Sequence, residues 1–114
     1  MTHQDDWTVE FYTDVRGKSP TLEFINSLPK REHAKITRVL ELLREFGPAL
    51  GFPHARPIRG LWELRAGVGR LFYFVHTGRR FIILHGYRKQ RQKAPRKEIE
   101  MAHRRKAIFL ESEQ

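Results

Sequence analysis

From Gly60 to Pro95 the chain reads GLWELRAGVGRLFYFVHTGRRFIILHGYRKQRQKAP. Three runs rich in aromatic and branched aliphatic residues are separated by two turns that carry glycine, at 67–69 and 77–80. Such runs predict an antiparallel meander of three strands. The last run continues past His85 into a dense series of cations. A rigid sheet that ends in cations and one imidazole predicts a binding site for a polyanion.

The residues before the meander predict one strand and two helices. From Trp7 to Tyr12 large apolar residues alternate with more polar ones, which is the pattern of a half-buried strand. Ser19 is the predicted N-cap of a helix and Pro20 its first residue. A second helix is predicted from Pro29 to Phe46, where apolar residues recur at helical spacing and the following Gly47–Pro48 ends it. We expect these helices to form a hairpin on one face of the sheet.

The remaining segments predict a loop and a last helix. Residues 48–57 contain three prolines and predict a loop, and a helix is predicted from Pro95 to about Leu110. Its apolar stripe is thin, so we expect this helix to lie loosely on the sheet or to dock on a partner. The predicted fold class is therefore α+β: a mainly antiparallel sheet with an N-terminal helical hairpin on one face and a C-terminal helix. The length fits a single domain over residues 1–114.

The overall charge is the strongest signal in the composition. The formal net charge is +9 at pH 7 and the isoelectric point is about 10.5. Nucleic acid is the commonest partner of a compact basic domain, although an acidic protein would fit the same surface. The segment Met1–Asp6 is polar and acidic, unlike a signal sequence, and no apolar run approaches the length of a membrane span. We therefore expect a cytoplasmic protein without a membrane partner.

Several kinds of chemistry find no support in the sequence. The chain has no cysteine, and its six histidines show no metal-binding spacing. Gly67 and Gly69 lie in a hairpin turn and form no phosphate-binding loop. The serines sit at a helix cap, a helix end and the tail, and Glu63 is the only acidic residue of the meander. We expect no metal ion, no cofactor, no nucleophilic triad and no catalytic pair of carboxylates.

Cations, one histidine and one tyrosine gather at one edge of the predicted meander, because antiparallel strands bring their alternate ends together. Such a set could cut RNA without a metal, with the 2′-hydroxyl attacking the adjacent phosphorus, and this nucleophile confines the reaction to RNA. The arginine fork holds two phosphate oxygens, and histidine can act as base or acid near neutral pH. The candidate catalytic residues are Arg70, His85, Tyr87 and Lys89, and the candidate RNA-binding residues are Arg65, Arg88, Arg91 and Lys93.

Each candidate also has a structural alternative. His85 on a strand is at least as often a hydrogen-bonded structural histidine as a catalyst, and Tyr87 can belong to the core. Arg65 can pair with a neighbouring acid or cap the sheet edge. The cations of 88–93 can contact phosphates alone, which adds affinity and salt dependence without catalysis. Arg70 fits its alternative least well, because a cation in an apolar central strand is costly to bury without a partner.

Four fragments follow one another along the chain: Leu61–Arg65 (LWELR), Arg70–Phe74 (RLFYF), Leu84–Lys89 (LHGYRK) and Lys93–Pro95 (KAP), the last followed by Glu98, Ile99 and Ala102. In this order and spacing they resemble the RelE/ParE toxin superfamily, and within it the phage-derived, HigB-like branch. The resemblance extends from Trp7 to about Ala107.

The resemblance implies the small RelE-type fold and the toxin of a type II toxin–antitoxin system. The implied activity is that of an endoribonuclease that cuts mRNA in the ribosomal A site without a metal. The implied partner is an antitoxin, often a helix-turn-helix protein. Arg70 matches the arginine that the family uses on the scissile phosphate. Tyr87, Arg88 and Lys89 match the basic or aromatic residues after the last strand, and Lys93 matches a common lysine before the last helix.

Two points separate this chain from a simple transfer of function. Glu63 stands on a strand where many RelE-type toxins carry lysines, and the family has no fixed catalytic base, so the role of His85 as base is our own inference.

Two further functions stay open. The ParE branch inhibits DNA gyrase and cuts nothing, and a basic RNA- or ribosome-binding module without catalysis would have the same fold.

Overall fold

The predicted meander is present in the computed structural model, which describes residues 7–114. The elements in chain order are β1 (Thr8–Phe11), α1 (Pro20–Ser27), α2 (Lys30–Phe46), β2 (Ala55–Ile58), β3 (Leu61–Ala66), β4 (Gly69–His76), β5 (Arg80–Arg88) and α3 (Arg96–Ser112), with a 3₁₀ turn at Gly47–Ala49 after α2. The segment 1–6, which carried the prediction that a signal sequence is absent, lies outside the described residues.

The five strands form one sheet in the order β1-β5-β4-β3-β2. All neighbours are antiparallel except β1, which runs parallel to β5 and pairs Thr8 with Arg80 and Phe11 with Ile83. The helices cover both faces, so the structure confirms the predicted α+β class. None of the helices within 7–114 is both long and apolar enough to cross a membrane.

The prediction of a loop over residues 48–57 is wrong in its last part, where β2 forms the outer edge of the sheet. Arg56 of this strand pairs with Glu63 of β3, and Pro57 pairs with Trp62. Proline cannot donate to a strand ladder, but an edge strand tolerates it because one side of its backbone has no partner strand. The prolines of this segment therefore favoured a loop prediction for residues that form an edge strand.

The predicted helical hairpin covers one face of the sheet. Helix α1 begins as predicted, with the Ser19 hydroxyl accepting a hydrogen bond of 3.2 Å from the Leu22 amide, and α2 ends at Gly47, whose φ is +58°. Ile36 and Leu43 of α2 are buried in a core that also contains side chains of β3, β4 and β5. Helices α1 and α2 therefore cover one face of the sheet.

Helix α3 covers the opposite face and packs closely on it, so the expectation that it lies loosely on the sheet is wrong, whereas its docking on a partner stays a prediction. Ile99 and Ala102 are buried in a second core with Phe72 and Leu84, and Phe109 packs on its rim. Charged side chains add specific contacts to this thin apolar stripe: Arg105 donates to the Leu84 carbonyl oxygen at 3.0 Å. The face beneath α3 is the face that holds the candidate site.

A β-bulge in β5 changes the predicted orientation of two candidate residues. Strict alternation along this strand predicts that Phe81, Ile83, His85 and Tyr87 share one face. In the structure Tyr73 pairs with Ile83 and Phe72 pairs with His85, so Leu84 is the extra residue of the bulge. Phe81 and Ile83 face α1 and α2, whereas His85 and Tyr87 face α3. The bulge thereby brings Tyr87 to the same face as Arg70.

Candidate functional site

A cationic cavity lies on the α3 face, beside the β3–β4 turn. Its volume is about 170 Å³. Five cationic side chains and one carboxylate contribute to its wall, so the cavity favours an anion. The residues that line this cavity, called here the Arg70 cavity, are Arg56, Glu63, Arg65, Arg70, Tyr87, Lys89, Arg91, Gln92 and Ala94.

The register of the sheet brings the wall together. Arg70 in β4 lies directly opposite Arg65 in β3 and directly opposite Tyr87 in β5. In the next row towards the sheet centre, Arg56 lies opposite Glu63. Residues spread over more than thirty positions of sequence thus become neighbours. The predicted convergence of Arg65, Arg70 and Tyr87 is therefore present.

Arg70 is buried, with 5% of its surface exposed, and is held at one end of its guanidinium. Its Nη1 donates to the carbonyl oxygens of Gly67 and Gly69, at 2.7 and 2.8 Å. Burial lowers the pKa of Arg70 while nearby Glu63 raises it, and arginine stays charged at any physiological pH. Within residues 7–114 the Nε and Nη2 groups have no hydrogen-bond partner, and neither is sealed from solvent. Two directed donors are thus available to an anion in the cavity.

Glu63 supplies the negative charge in the wall, and only 2% of the residue is exposed. Its Oε1 accepts a hydrogen bond of 2.8 Å from Arg56 Nε. The other oxygen, Oε2, has no partner among the described residues and is not sealed from solvent. Sequence reasoning left Arg56 and Glu63 out of the site. Strand alternation placed Glu63 on the face of Arg65 and could have found it, but Arg56 was hidden with β2.

Tyr87 lies between the cavity and the core under α3. Its ring packs against Phe72 at a centroid distance of 5.6 Å, and the residue is buried. Burial, with a smaller contribution from Glu63, raises the pKa of Tyr87 to about 12. The phenol is therefore protonated at neutral pH, where it can donate a hydrogen bond or a proton but cannot act as a base.

His85 does not reach the Arg70 cavity, contrary to its predicted convergence with Arg65 and Arg70. It pairs with Phe72, one row further into the sheet, and its Nε2 lies 2.5 Å from Oε1 of Glu98. Its Nδ1 lies 3.0 Å from Nη1 of Arg105. Because arginine can only donate, Nδ1 is the acceptor and Nε2 carries the proton that Glu98 accepts.

Burial lowers the pKa of His85, although the hydrogen bond and charge of Glu98 oppose this shift. The ring is thus neutral at physiological pH, and both of its nitrogens are engaged by side chains of α3. This geometry is that of the structural alternative, a hydrogen-bonded histidine that ties a helix to the sheet.

The other predicted cations divide between two places. Lys89 and Arg91 line the Arg70 cavity, and the Lys89 amide donates to the Val68 carbonyl oxygen at 2.7 Å, which ties the loop after β5 to the β3–β4 turn. Arg88 points to the other face, where its guanidinium makes two hydrogen bonds, of 2.8 and 2.9 Å, with Glu32 of α2. The structure therefore separates Arg88 from Lys89.

Lys93 lines a larger groove of about 1020 Å³ that lies next to the Arg70 cavity. The groove runs between Phe24 of α1, the end of β5 and the start of α3. Tyr87 and Arg91 line both spaces, so the groove and the cavity are neighbours that share part of their walls. Across residues 7–114, no three His, Cys, Asp or Glu side chains are placed to hold a metal ion.

Comparison with known proteins adds a family and a fold. The sequence model of the family of phage-derived Gp49-like proteins (DUF891) matches residues 23–107, which include every residue of the Arg70 cavity. Among curated proteins, no sequence is similar enough to count as a relative. A chain in the crystal structure of the toxin–antitoxin complex RelBE2 from Mycobacterium tuberculosis has a similar structure, with a TM-score of 0.55. The two are 20% identical over 74% of this chain and 99% of that chain, a similarity that shows a shared fold.

Proposed function

Because the chain belongs to the phage-derived Gp49-like family, we propose that it is the toxin of a type II toxin–antitoxin system, and that it acts as a metal-independent endoribonuclease on ribosome-bound mRNA. One observation carries this proposal. Arg70 is buried and held by two backbone acceptors, yet it lines a cationic cavity and its Nε and Nη2 have no hydrogen-bond partner among residues 7–114. Such fixed donors are the means by which proteins stabilise charge that develops in a transition state.

The reaction follows from the groups on the wall. The 2′-oxygen of the RNA forms a bond to the adjacent phosphorus, and the bond from phosphorus to the 5′-oxygen breaks, which leaves a 2′,3′-cyclic phosphate and a 5′-hydroxyl. Arg70 and Lys89 stabilise the phosphorane oxygens. Tyr87, protonated at neutral pH, donates a proton to the leaving 5′-oxygen. The proton of the 2′-hydroxyl has one carboxylate acceptor on this wall, Oε2 of Glu63.

The remaining cations of the site fit the binding of a longer strand. Arg65 and Arg91 line the cavity, and Lys93 lines the neighbouring groove. Contacts of this kind with phosphates raise affinity without sequence preference. We propose that the mRNA strand runs from the cavity along the groove, and that the protein acts in the cytoplasm, where translated mRNA is found.

The test is expression of the parent, Arg70→Ala and Arg70→Lys, with growth and primer-extension cut sites in mRNA as readouts. Arg70→Ala is expected to lower cleavage by about 100-fold or more. Arg70→Lys keeps the charge but not the two-pronged guanidinium, so its cleavage rate should lie between those of the parent and Arg70→Ala. Circular dichroism checks that both variants fold, since Arg70 also holds the turn. Arg38→Ala, an exposed arginine of α2, is the matched control for the change in charge.

The outcomes separate the functions left open by the sequence. A folded Arg70→Ala variant that cuts mRNA and arrests growth like the parent would refute the catalytic role of Arg70, and intact mRNA in cells that express the parent would refute the nuclease proposal. DNA breaks and an SOS response with intact mRNA would identify a gyrase inhibitor. Salt-sensitive association with ribosomes, again with intact mRNA, would identify a binding module without catalysis.

The predicted proton-transfer role of His85 is tested in the same assay by His85→Gln. Glutamine can still hydrogen-bond to Glu98 but cannot take up or release a proton. A loss of cleavage as large as that of Arg70→Ala would support the catalytic role. Retained cleavage would assign His85 to anchoring α3 on the sheet.

We also propose that a helix-turn-helix antitoxin binds this protein and neutralises it. The net charge of +9 and the cationic groove around Lys93 favour an acidic segment of such a partner. Co-expression of the neighbouring open reading frame is expected to restore growth and to yield a complex that co-purifies. Continued growth arrest despite expression of that neighbour would contradict its assignment as the antitoxin.

A further inference from the structure

Phe52 is the most exposed aromatic side chain of residues 7–114, with 79% of its surface accessible. It lies in the loop between the 3₁₀ turn and β2. A single exposed apolar residue is normal on a protein surface and needs no explanation by itself. The position of Phe52, rather than its exposure, makes it informative.

The Phe52 ring packs against Arg65, a side chain that lines the Arg70 cavity. The guanidinium carbon of Arg65 lies 5.8 Å from the centroid of the ring. Arg65 itself lines the cavity and pairs directly with Arg70 across the sheet. The Phe52 ring therefore contacts the Arg65 guanidinium, and Arg65 in turn lies opposite buried Arg70.

This succession matches the parts of a single-stranded nucleotide, in which one sugar separates the base from the phosphate. We propose that Phe52, together with Arg65, forms a stacking platform for a nucleobase of the RNA strand whose phosphate enters the Arg70 cavity. The inference rests on the proposed function, and it adds a contact to the base where the cavity contacts only phosphate. Stacking on an aromatic ring tolerates every base, because each base has a π-face.

The other exposed apolar side chains do not fit this role. Val15, Val68 and Val75 are aliphatic and offer no π-face. Phe46 is an exposed aromatic residue, 50% accessible, at the end of α2, but it does not line the cavity, and among the described residues no cation lies over its ring. Phe46 is therefore a matched control for Phe52.

The experiment measures binding of the full chain to two uncleavable probes, by fluorescence anisotropy. One probe is a short single-stranded RNA with 2′-O-methyl groups, and the other is the same sugar–phosphate chain without bases. Phe52→Ala is expected to weaken binding of the first probe by about 5- to 100-fold, and to leave binding of the abasic probe unchanged. Phe52→Leu, which keeps apolar surface without a π-face, is expected to behave like alanine, and Phe52→Trp is expected to bind at least as well as the parent.

Every outcome bears on the inference. Equal losses on both probes, or no loss on either, would overturn the stacking platform, as would a Phe46→Ala variant that loses as much as Phe52→Ala. If the parent binds both probes and cuts mRNA, and Phe52→Ala behaves in the same way, the stacking platform is overturned and the proposed function is not. Parent protein that binds neither probe and cuts no mRNA overturns the proposed function and the platform with it.

Discussion

Replacing Glu63 by glutamine is expected to weaken the fold slightly and to separate RNA binding from RNA cleavage. Glu63 is buried and accepts a charge-assisted hydrogen bond from Arg56, whose side chain is 43% exposed. Such a bond contributes about 1.5–3 kcal/mol to the free energy of unfolding. A neutral amide acceptor makes a bond roughly half as strong. Glu63→Gln should therefore cost about 1 kcal/mol, and Glu63→Ala, which leaves no acceptor, about 2 kcal/mol.

For a chain of this length 1 kcal/mol corresponds to a shift of about 4 °C in the melting temperature. Melting temperatures some 4 °C lower for glutamine and 8 °C lower for alanine are thus expected in differential scanning calorimetry. The matched control is Glu100→Gln, which removes the same charge from an exposed pair with Arg96 on α3. Exposed pairs of this kind contribute at most about 1 kcal/mol, so its melting temperature should hardly change.

RNA binding and cleavage should move in opposite directions in Glu63→Gln. Among the described residues Glu63 is the only carboxylate on a wall with five cations, so its loss should tighten binding of an uncleavable RNA by roughly two- to fivefold. Loss of the proton acceptor should lower cleavage by about 100-fold. A variant that binds more tightly and also cuts at least as fast as the parent would show that Glu63 only moderates affinity. The assignment of this carboxylate as proton acceptor would then fail.

Three further changes test the surroundings of the cavity. Tyr87→Phe keeps the buried ring but removes the phenol, so cleavage should fall by about 100-fold while the melting temperature stays close to that of the parent; unchanged cleavage would exclude Tyr87 as proton donor. Burial lowers the pKa of His85 in the folded chain, so the neutral ring contributes its full stability above pH 6.5. As the pH falls below 6.5 this contribution is lost, by at most about 1.4 kcal/mol per pH unit. Urea titrations should show this loss in the parent and not in His85→Gln, and equal pH dependence in both would contradict the neutral buried ring. Gly86→Ala would place a Cβ 2.7 Å from the Leu71 side chain and 2.8 Å from Phe24, so it should destabilise the fold by about 1–3 kcal/mol; a melting temperature equal to that of the parent would show that α1 can move aside without cost.

Local patterns in the sequence predicted most of the fold because the meander, the helical hairpin and the helix ends depend on nearby residues. Alternation in β3 separates Trp62 and Leu64 from Glu63 and Arg65, and in the structure Trp62 and Leu64 pack in the core under α2. The parallel pairing of β1 with β5 escaped prediction, since it joins segments about seventy residues apart and leaves no mark in either. The edge strand β2 escaped because Pro57, which argues against a central strand, is tolerated at an edge.

The candidate site was predicted less completely, for a reason that lies in one residue. Alternation has a period of two, so the extra residue Leu84 in the bulge reverses the face of everything after it. The sequence therefore grouped His85 and Tyr87 with Phe81, on the wrong face. The partners of His85 on α3, Glu98 and Arg105, could not be found without knowing which face the last helix covers.

Packing of α2 on one face of the sheet positions the Arg70 guanidinium on the other face. Arg70 is held by the carbonyl oxygens of Gly67 and Gly69, so its guanidinium lies where the β3–β4 turn lies. That turn is in close contact with α2: a Cβ on Gly69 would lie 2.8 Å from Ile36, and one on Gly67 would lie 3.0 Å from Lys35. Because Ile36 is itself buried in the first core, any shift of α2 moves the turn and with it the donors of Arg70. The helical hairpin, which contributes no polar group to the cavity wall, therefore supports the geometry on which the proposed chemistry depends.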